Sequence, residues 1–408
     1  MILMLKPEVL SPAGDITRLE AALRYGADAV YIGSTQFGMR TASKNFSSES
    51  LSEAADLAHK HNARLYLTVN TLPRCDETPR LPDFLKEAQA AGVDALIIAD
   101  IGVMMMARKL VPDMEIHAST QTGIFNELSA NALGSLGVKR VVLARELSLD
   151  EIKVIRERTD PSVELEAFVH GAMCMSVSGR CTISNYLVGR DANRGACSQP
   201  CRWNYYLVEE KRPGLYIPIV EGDRGTSILS AKDLCMIEHL KELYDAGVTS
   251  FKIEGRAKTA YYVAVVTNAY RAAVDAMIKN EPVPEWAIKE LSYISHREYS
   301  TGFYYGQDYC QQTYHPGSYI WEWEIAAVVE STDGERLTVS ERNRFYDGDE
   351  LELLEPGMPP RTFKVQNLKN EDGESISVIN HPNAIVSMDF KGHATEGSVL
   401  RRRKQESV

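Results

Sequence analysis

A period, more than any single motif, constrains what this chain can fold into. Between residues 8 and 280, short apolar runs alternate with amphipathic stretches, and the runs fall at 8–10, 29–32, 64–69, 95–98, 115–118, 140–143, 165–169 and 250–253. Each is apolar on both faces, as expected of strands buried on both sides in a parallel sheet. Helical patterns fill the gaps: Ile16, Leu19, Ala22 and Leu23 share one face, and similar stretches run over 81–91, 128–136 and 240–246. Gly26, Gly92, Gly137 and Gly247 close these four shortly before the next apolar run, which is how a helix hands over to a strand. Eight such repeats predict an α/β fold, a (β/α)8 TIM-like barrel, in preference to a doubly wound sheet.

The repeat is interrupted once. Residues 171–235 form a cysteine-rich insertion after the seventh predicted strand, at the carboxyl end where barrels of this kind place their chemistry. The barrel domain is expected over 1–280 and a linker region over 281–317, where Pro282, Pro284 and His315-Pro316-Gly317 break the pattern. From 318 to 408 strict alternation takes over, as in Tyr319-Ile320-Trp321-Glu322-Trp323-Glu324, punctuated by Asp333-Gly334, Asp347-Gly348 and Asp372-Gly373. That predicts a small all-β C-terminal domain, an antiparallel barrel or sandwich. The basic run at 401–404 reads as a solvated, frayed end.

Charge narrows the function. With 45 Lys and Arg against 56 Asp and Glu, the net charge is −11, the wrong sign for a protein held to nucleic acid by bulk electrostatics. An RNA substrate would have to meet a local basic face. The apolar stretch near 95–106 is broken by Asp100 and falls short of the roughly 18 residues of a membrane helix, so no membrane partner and a cytoplasmic location are expected.

Of seven cysteines, Cys174, Cys181, Cys197 and Cys201 lie close together, Cys235 follows, and Cys75 and Cys310 stand apart. In a reducing compartment such a group signals a metal site or catalysis before disulfides. Only Cys197 and Cys201 have the spacing of a zinc knuckle, which disfavours zinc without excluding it, whereas an iron–sulfur cluster needs only thiolates that converge in space. Buried thiols, or a nucleophilic Cys174 served by His170, are the competing readings.

Other candidates sit at the expected carboxyl ends of strands: Ser11, Asn70, His117, Gln121, Arg145, Glu146, His170, Glu254 and Arg256. His117 could equally be a satisfied interior residue, and Arg145 with Glu146 an intramolecular pair. Lys252, Glu254 and Arg256 alternate along one strand face, so two cations could flank one carboxylate and receive a dicarboxylate or phosphate, or close the barrel as a buried ionic network. Arg202, followed by Trp203, Tyr205 and Tyr206, could stack on splayed bases or pack over a cluster. Tyr261 and Tyr262 read as core.

The stretch Glu166-Ala-Phe-Val-His170-Gly171-Ala-Met-Cys174, continuing to Gly179-Arg180-Cys181, resembles the signature of the collagenase-like peptidase family, peptidase U32. Leu10-Ser11-Pro12-Ala13-Gly14, Arg145-Glu146-Leu147-Ser148, Cys197-Ser-Gln-Pro-Cys201-Arg202 and Lys252-Ile253-Glu254-Gly255-Arg256 extend the resemblance over nearly the whole chain. The resemblance implies RNA hydroxylation or, from the family's older assignments, a metal- or thiol-dependent peptidase. Its tRNA members are required for prephenate-dependent formation of 5-hydroxyuridine at the wobble position, and several relatives carry a [4Fe–4S] cluster. By resemblance Cys174, Cys181 and Cys197 are three cluster ligands, with Cys201 and Cys235 competing for the fourth place. Implied partners are tRNA, prephenate or a related small donor, and a possible paralogous subunit. The residues assigned to catalysis are His170, Lys252, Glu254 and Arg256, and those assigned to substrate are Asn70, His117, Arg145, Glu146 and Arg202.

Overall fold

The computed structural model describes residues 6–39, 45–174, 176, 181, 183–190, 196–200, 221–222, 225–226, 231–306, 319–381 and 383–404. Seven strands follow one another in register: β1 (Glu8–Pro12), β2 (Ala29–Gly33), β3 (Arg64–Val69), β4 (Ala95–Ile98), β5 (Glu115–Ala118), β6 (Arg140–Val142) and β7 (Glu164–Ala172). Each pairs in parallel with the next. After β7 the chain forms β8 (Asp233–Cys235), antiparallel to β7, and then β9 (Val248–Ile253), parallel to both β7 and β1. The β9 pairings close the ring, so β1–β7 and β9 make an eight-stranded parallel barrel, as the period predicts. These strands are buried along almost their whole length, which is why they read as apolar runs without alternation.

Short loops at the carboxyl ends lead straight into helices, and the cap residue is the last residue of the loop. Asp15, Asp100, Asn126 and Thr259 each accept a backbone N–H of the first turn, and Ser148 forms a full capping box with Glu151. The helices end as the glycine pattern anticipates. At Gly247, φ is +95° and an added Cβ would lie 2.3 Å from Arg156 Cγ, so both conformation and space require glycine there. The long helix Ala260–Ile278 is buried on nearly all sides and packs against β1 and the helix Ile16–Arg24. Between β7 and β8 the described residues include one short helix, Ile183–Val188.

The chain divides into two compact units, Met1–Val283 with His296–Tyr319, and Pro284–Ser295 with Ile320–Val408. The stretch expected as a linker over 281–317 is thus shared. The short helix Glu285–Glu290 belongs to the second unit, where Glu290 pairs with Arg401, and Tyr299–Ser300 (β10) belongs to the first, paired in parallel with β8. The second unit is built on a six-stranded antiparallel sheet in the order 361–364, 350–354, 399–403, 323–332, 336–341, 385–389. Its core holds Val329, Leu337, Val339, Phe345, Leu351, Leu353 and Leu400.

The basic tail is not frayed. Val399–Arg403 is an interior strand of that sheet, and its cations are neutralised one by one. Arg401, 0% exposed, bonds Glu290 through two 2.6 Å contacts and also bonds Glu352. Arg402 meets Glu324 and Asp349, and Arg403 meets Glu322. A run of like charge seen in sequence becomes a set of pairs once alternation places each arginine opposite a carboxylate.

Candidate functional site at the barrel mouth

The interior of the barrel is ionic. Glu8 on β1 accepts Arg140 Nη1 at 2.6 Å, Ser250 Oγ at 2.8 Å and Tyr66 OH at 2.7 Å. Arg140 also reaches Glu164 and Glu166, and Lys252 Nζ lies 2.6 Å from Glu166 Oε1. Burial alone would push the Glu166 carboxyl up, but the charges of Lys252 and Arg140 outweigh it and hold it below the usual range. Lys252 is therefore part of a buried network, with its ammonium 4.6 Å from the centre of the Tyr31 ring, and does not stand with Glu254 and Arg256 at the mouth. His117 is also interior. It is fully buried, edge-on to Tyr66 at 4.8 Å, and burial holds its imidazole neutral.

The mouth itself carries cations. Arg145, on the loop after β6, donates to the Ala172 carbonyl at 3.0 Å, lies 3.7 Å over the Phe168 ring, and reaches Glu254 at 3.5 Å. Its carboxylate partner is thus Glu254 on the loop after β9, a residue far away in sequence. Among the described residues, the Arg145 Nε is buried and meets no hydrogen-bond partner. Arg256 is 4% exposed and donates to Thr68 Oγ1 at 2.9 Å. It runs so close to β2 that a Cβ on Gly33 would lie 1.9 Å from its Nη1. Asn70 accepts the Met39 N–H at 3.1 Å and so ties down the loop after β2. Glu146 is half-buried next to Arg145 in the chain. At this rim Arg145 pairs with Glu254, while Arg256 turns inward to Thr68 beside Gly33; a planar guanidinium fork such as that of Arg145 can receive carboxylate or phosphate.

Next to this rim lies a buried polar cluster where β8 meets β7, with Cys235 opposite His170, Leu234 opposite Gly171 and Asp233 opposite Ala172. His170 is 1% exposed, and burial pushes its imidazole down to about 3, so it is neutral near pH 7. The Cys235 thiol is pushed up to about 11 by burial and stays protonated unless a metal replaces its proton. Asp233 receives Arg297 N, Nε and Nη2 at 3.1, 2.9 and 2.7 Å, which fixes β8 against the approach to β10. His296 stacks on Tyr299 at 4.3 Å, and Tyr299 also contacts His170. Tyr270 reaches into the cluster from the long helix: its hydroxyl is 2.7 Å from Val169 O and 3.3 Å from His170 Nδ1. Sequence reasoning named neither Tyr270 nor Arg297. Asp233 could have been found, since it lies two residues before a candidate ligand, but Tyr270 is one aromatic among many on an apolar helix.

Cys174, Cys181, Cys197 and Cys235 are not in disulfides among the described residues. Cys174 Sγ accepts Ser176 N–H at 3.5 Å and Cys197 Sγ accepts Gln199 N–H at 3.4 Å. Among the described residues, Cys174 reaches no imidazole that could serve as its base. No three His, Cys, Asp or Glu side chains converge as metal ligands there either. Cys201, Arg202, Trp203, Tyr205 and Tyr206 lie outside the described residues. The donor chemistry suits a thiolate-bound group, while the described side chains do not by themselves close a cage around one.

This combination defines a class: a parallel barrel with a thiol-bearing connection at its mouth and a separate antiparallel-sheet unit. The sequence matches Peptidase family U32 over residues 14–313 and the Peptidase family U32 C-terminal domain over 322–401, and the chain belongs to this family. It is 34% identical to tRNA hydroxylation protein P1 of Bacillus subtilis, over 98% of this chain and 95% of that one. It is also 34% identical to tRNA hydroxylation protein P of Escherichia coli, over 92% of each. A protein named collagenase from Porphyromonas gingivalis is 34% identical over 89% of this chain and 90% of its own length. Among the described residues, no helix is long and apolar enough to cross a membrane.

Proposed function

We propose that this chain is an RNA-modifying enzyme of the cytoplasm that takes part in hydroxylating tRNA, forming 5-hydroxyuridine at the wobble position. The observation that carries this reading is similarity over nearly the full length, through both units, to bacterial proteins named for tRNA hydroxylation. Replacing a C5–H by C5–OH is a two-electron oxidation, so the reaction needs an electron acceptor and an oxygen donor. A [4Fe–4S] cluster held by Cys174, Cys181, Cys197 and either Cys201 or Cys235 would supply electron transfer at the mouth. Arg145 and Arg256 would bind the carboxylates of prephenate or a related donor, and Glu254 would orient Arg145. His170, neutral and buried, would accept or donate a hydrogen bond without carrying charge. A paralogous subunit is a further partner of this reading, since an acidic chain with a neutralised basic tail needs help to dock RNA.

The test is mass-spectrometric nucleoside analysis of tRNA from a strain lacking the gene, with and without the gene restored. Loss of hydroxyuridine that returns on complementation is the expected result. Unchanged hydroxyuridine, together with gelatin cleavage by the pure protein that disappears in Cys174→Ala, would replace this reading with the peptidase one.

A further inference from the structure

We infer that Tyr270 is a positioning residue that sets the place of the Cys235 thiol at the β7–β8 junction. The inference deepens the reading above and rests on it only where it concerns iron. Tyr270 is 0% exposed, and a buried hydroxyl must satisfy both its proton and its lone pairs within the protein. It has one proton. The shortest contact, 2.7 Å to Val169 O, takes it. The oxygen then accepts, and the Met236 N–H donates to it at 3.2 Å. That leaves room for one more donor, His170 Nδ1–H at 3.3 Å, while Cys235 Sγ, 4.0 Å away, is the second acceptor within reach of the phenol proton.

One oxygen thus touches Val169 and His170 on β7, and Cys235 and Met236 on the partner segment. The Met236 N–H also lies 2.9 Å from Val169 O, so the three groups form a compact triangle at the point where β8 ends. Because Cys235 sits directly opposite His170, the phenol oxygen is the fixed point against which the thiol is held. Phe at this position keeps the ring and its packing. It leaves Met236 N–H bonded to Val169 O but removes the hydroxyl that neighbours Cys235 and His170.

Two readouts test this on the full-length chain. The first is peptide-resolved alkylation of Cys235 by iodoacetamide in metal-free protein at fixed pH. The second is the rate at which a chelator removes iron from anaerobically purified protein, with the cluster's visible spectrum. In Tyr270→Phe, Cys235 alkylation is expected to change at least fivefold, and iron release to quicken with a shifted spectrum. Val263→Ala, a destabilising change on the same helix, should move neither readout. Tyr270→Phe indistinguishable from wild type in alkylation and, where iron is bound, in release would overturn the inference, as would equal effects in Val263→Ala. If the wild-type chain binds no iron, the cluster reading fails, and the alkylation comparison still decides the role of Tyr270.

Discussion

Replacing Lys252 by Met separates a structural lysine from a catalytic one. Lys252 is 4% exposed and Glu166 is 0% exposed, and their charged atoms are 2.6 Å apart. Removing one partner of a buried pair costs about 3–5 kcal/mol, mostly because the other charge is left uncompensated. Here Glu166 keeps Arg140 at 3.3 Å and Ser250 Oγ at 3.3 Å, which points to the lower end, about 3 kcal/mol by the same principle. With a urea slope on the order of 3 kcal/mol per molar, the unfolding midpoint should fall by about 1 M. Lys252→Met with Glu166→Gln removes the orphaned charge, so the double variant should be more stable than the sum of the singles by about 1–3 kcal/mol. Urea titrations of the four proteins, followed by near-ultraviolet circular dichroism, measure the cycle. A single-variant cost below about 1 kcal/mol, or strict additivity, would refute the buried-network argument. Wild-type stability with lost hydroxylation would return Lys252 to the catalytic set.

Arg297→Leu strands the Asp233 carboxylate in the junction and should cost about 3–5 kcal/mol, read as a lowered thermal midpoint, whereas Arg297→Leu with Asp233→Leu should recover much of it. His170 gives a pH signature in the metal-free chain. Its folded value, near 3, lies below the unfolded value of about 6.5, so the unfolded chain binds the extra proton between those limits and stability falls as pH drops. From pH 7 to 5 this contributes a loss of about 2 kcal/mol, and His170→Asn should flatten the stability–pH slope by that amount. Arg145→Gln removes a partly exposed guanidinium whose ion pair is 3.5 Å long, so the thermal midpoint should move by only a few degrees. Hydroxylation in a complemented deletion strain should fall at least tenfold, and unchanged hydroxylation would remove Arg145 from the donor site.

The barrel was legible because its strands are buried on both faces and four of its helices end on glycines in the left-handed conformation that other residues rarely adopt. Residues 29–32 and 95–98 announce parallel strands without tertiary information. The site was less legible, because strand alternation fixes a side but not a depth. Lys252, Glu254 and Arg256 share a strand face in sequence, yet Lys252 meets Glu166 inside the barrel while Glu254 meets Arg145 at the rim. What decides depth is the partner on the neighbouring strand, and Glu166 and Arg145 come from elsewhere in the chain. The basic run at 401–404 misled for the same reason, because charge counted along the chain ignores the carboxylates that face it across a sheet. Tyr270 left no sequence signal, since its role lies in one oxygen atom at the end of an ordinary core side chain.

The most direct measurement on the account as a whole is iron, zinc and acid-labile sulfide per chain in anaerobically purified wild type and Cys174→Ala. The account predicts about four iron and four sulfide in the wild type, with a broad absorption shoulder around 400 nm, and loss of both in the variant. One zinc without sulfide, or no metal in a folded and hydroxylation-competent wild type, would contradict it.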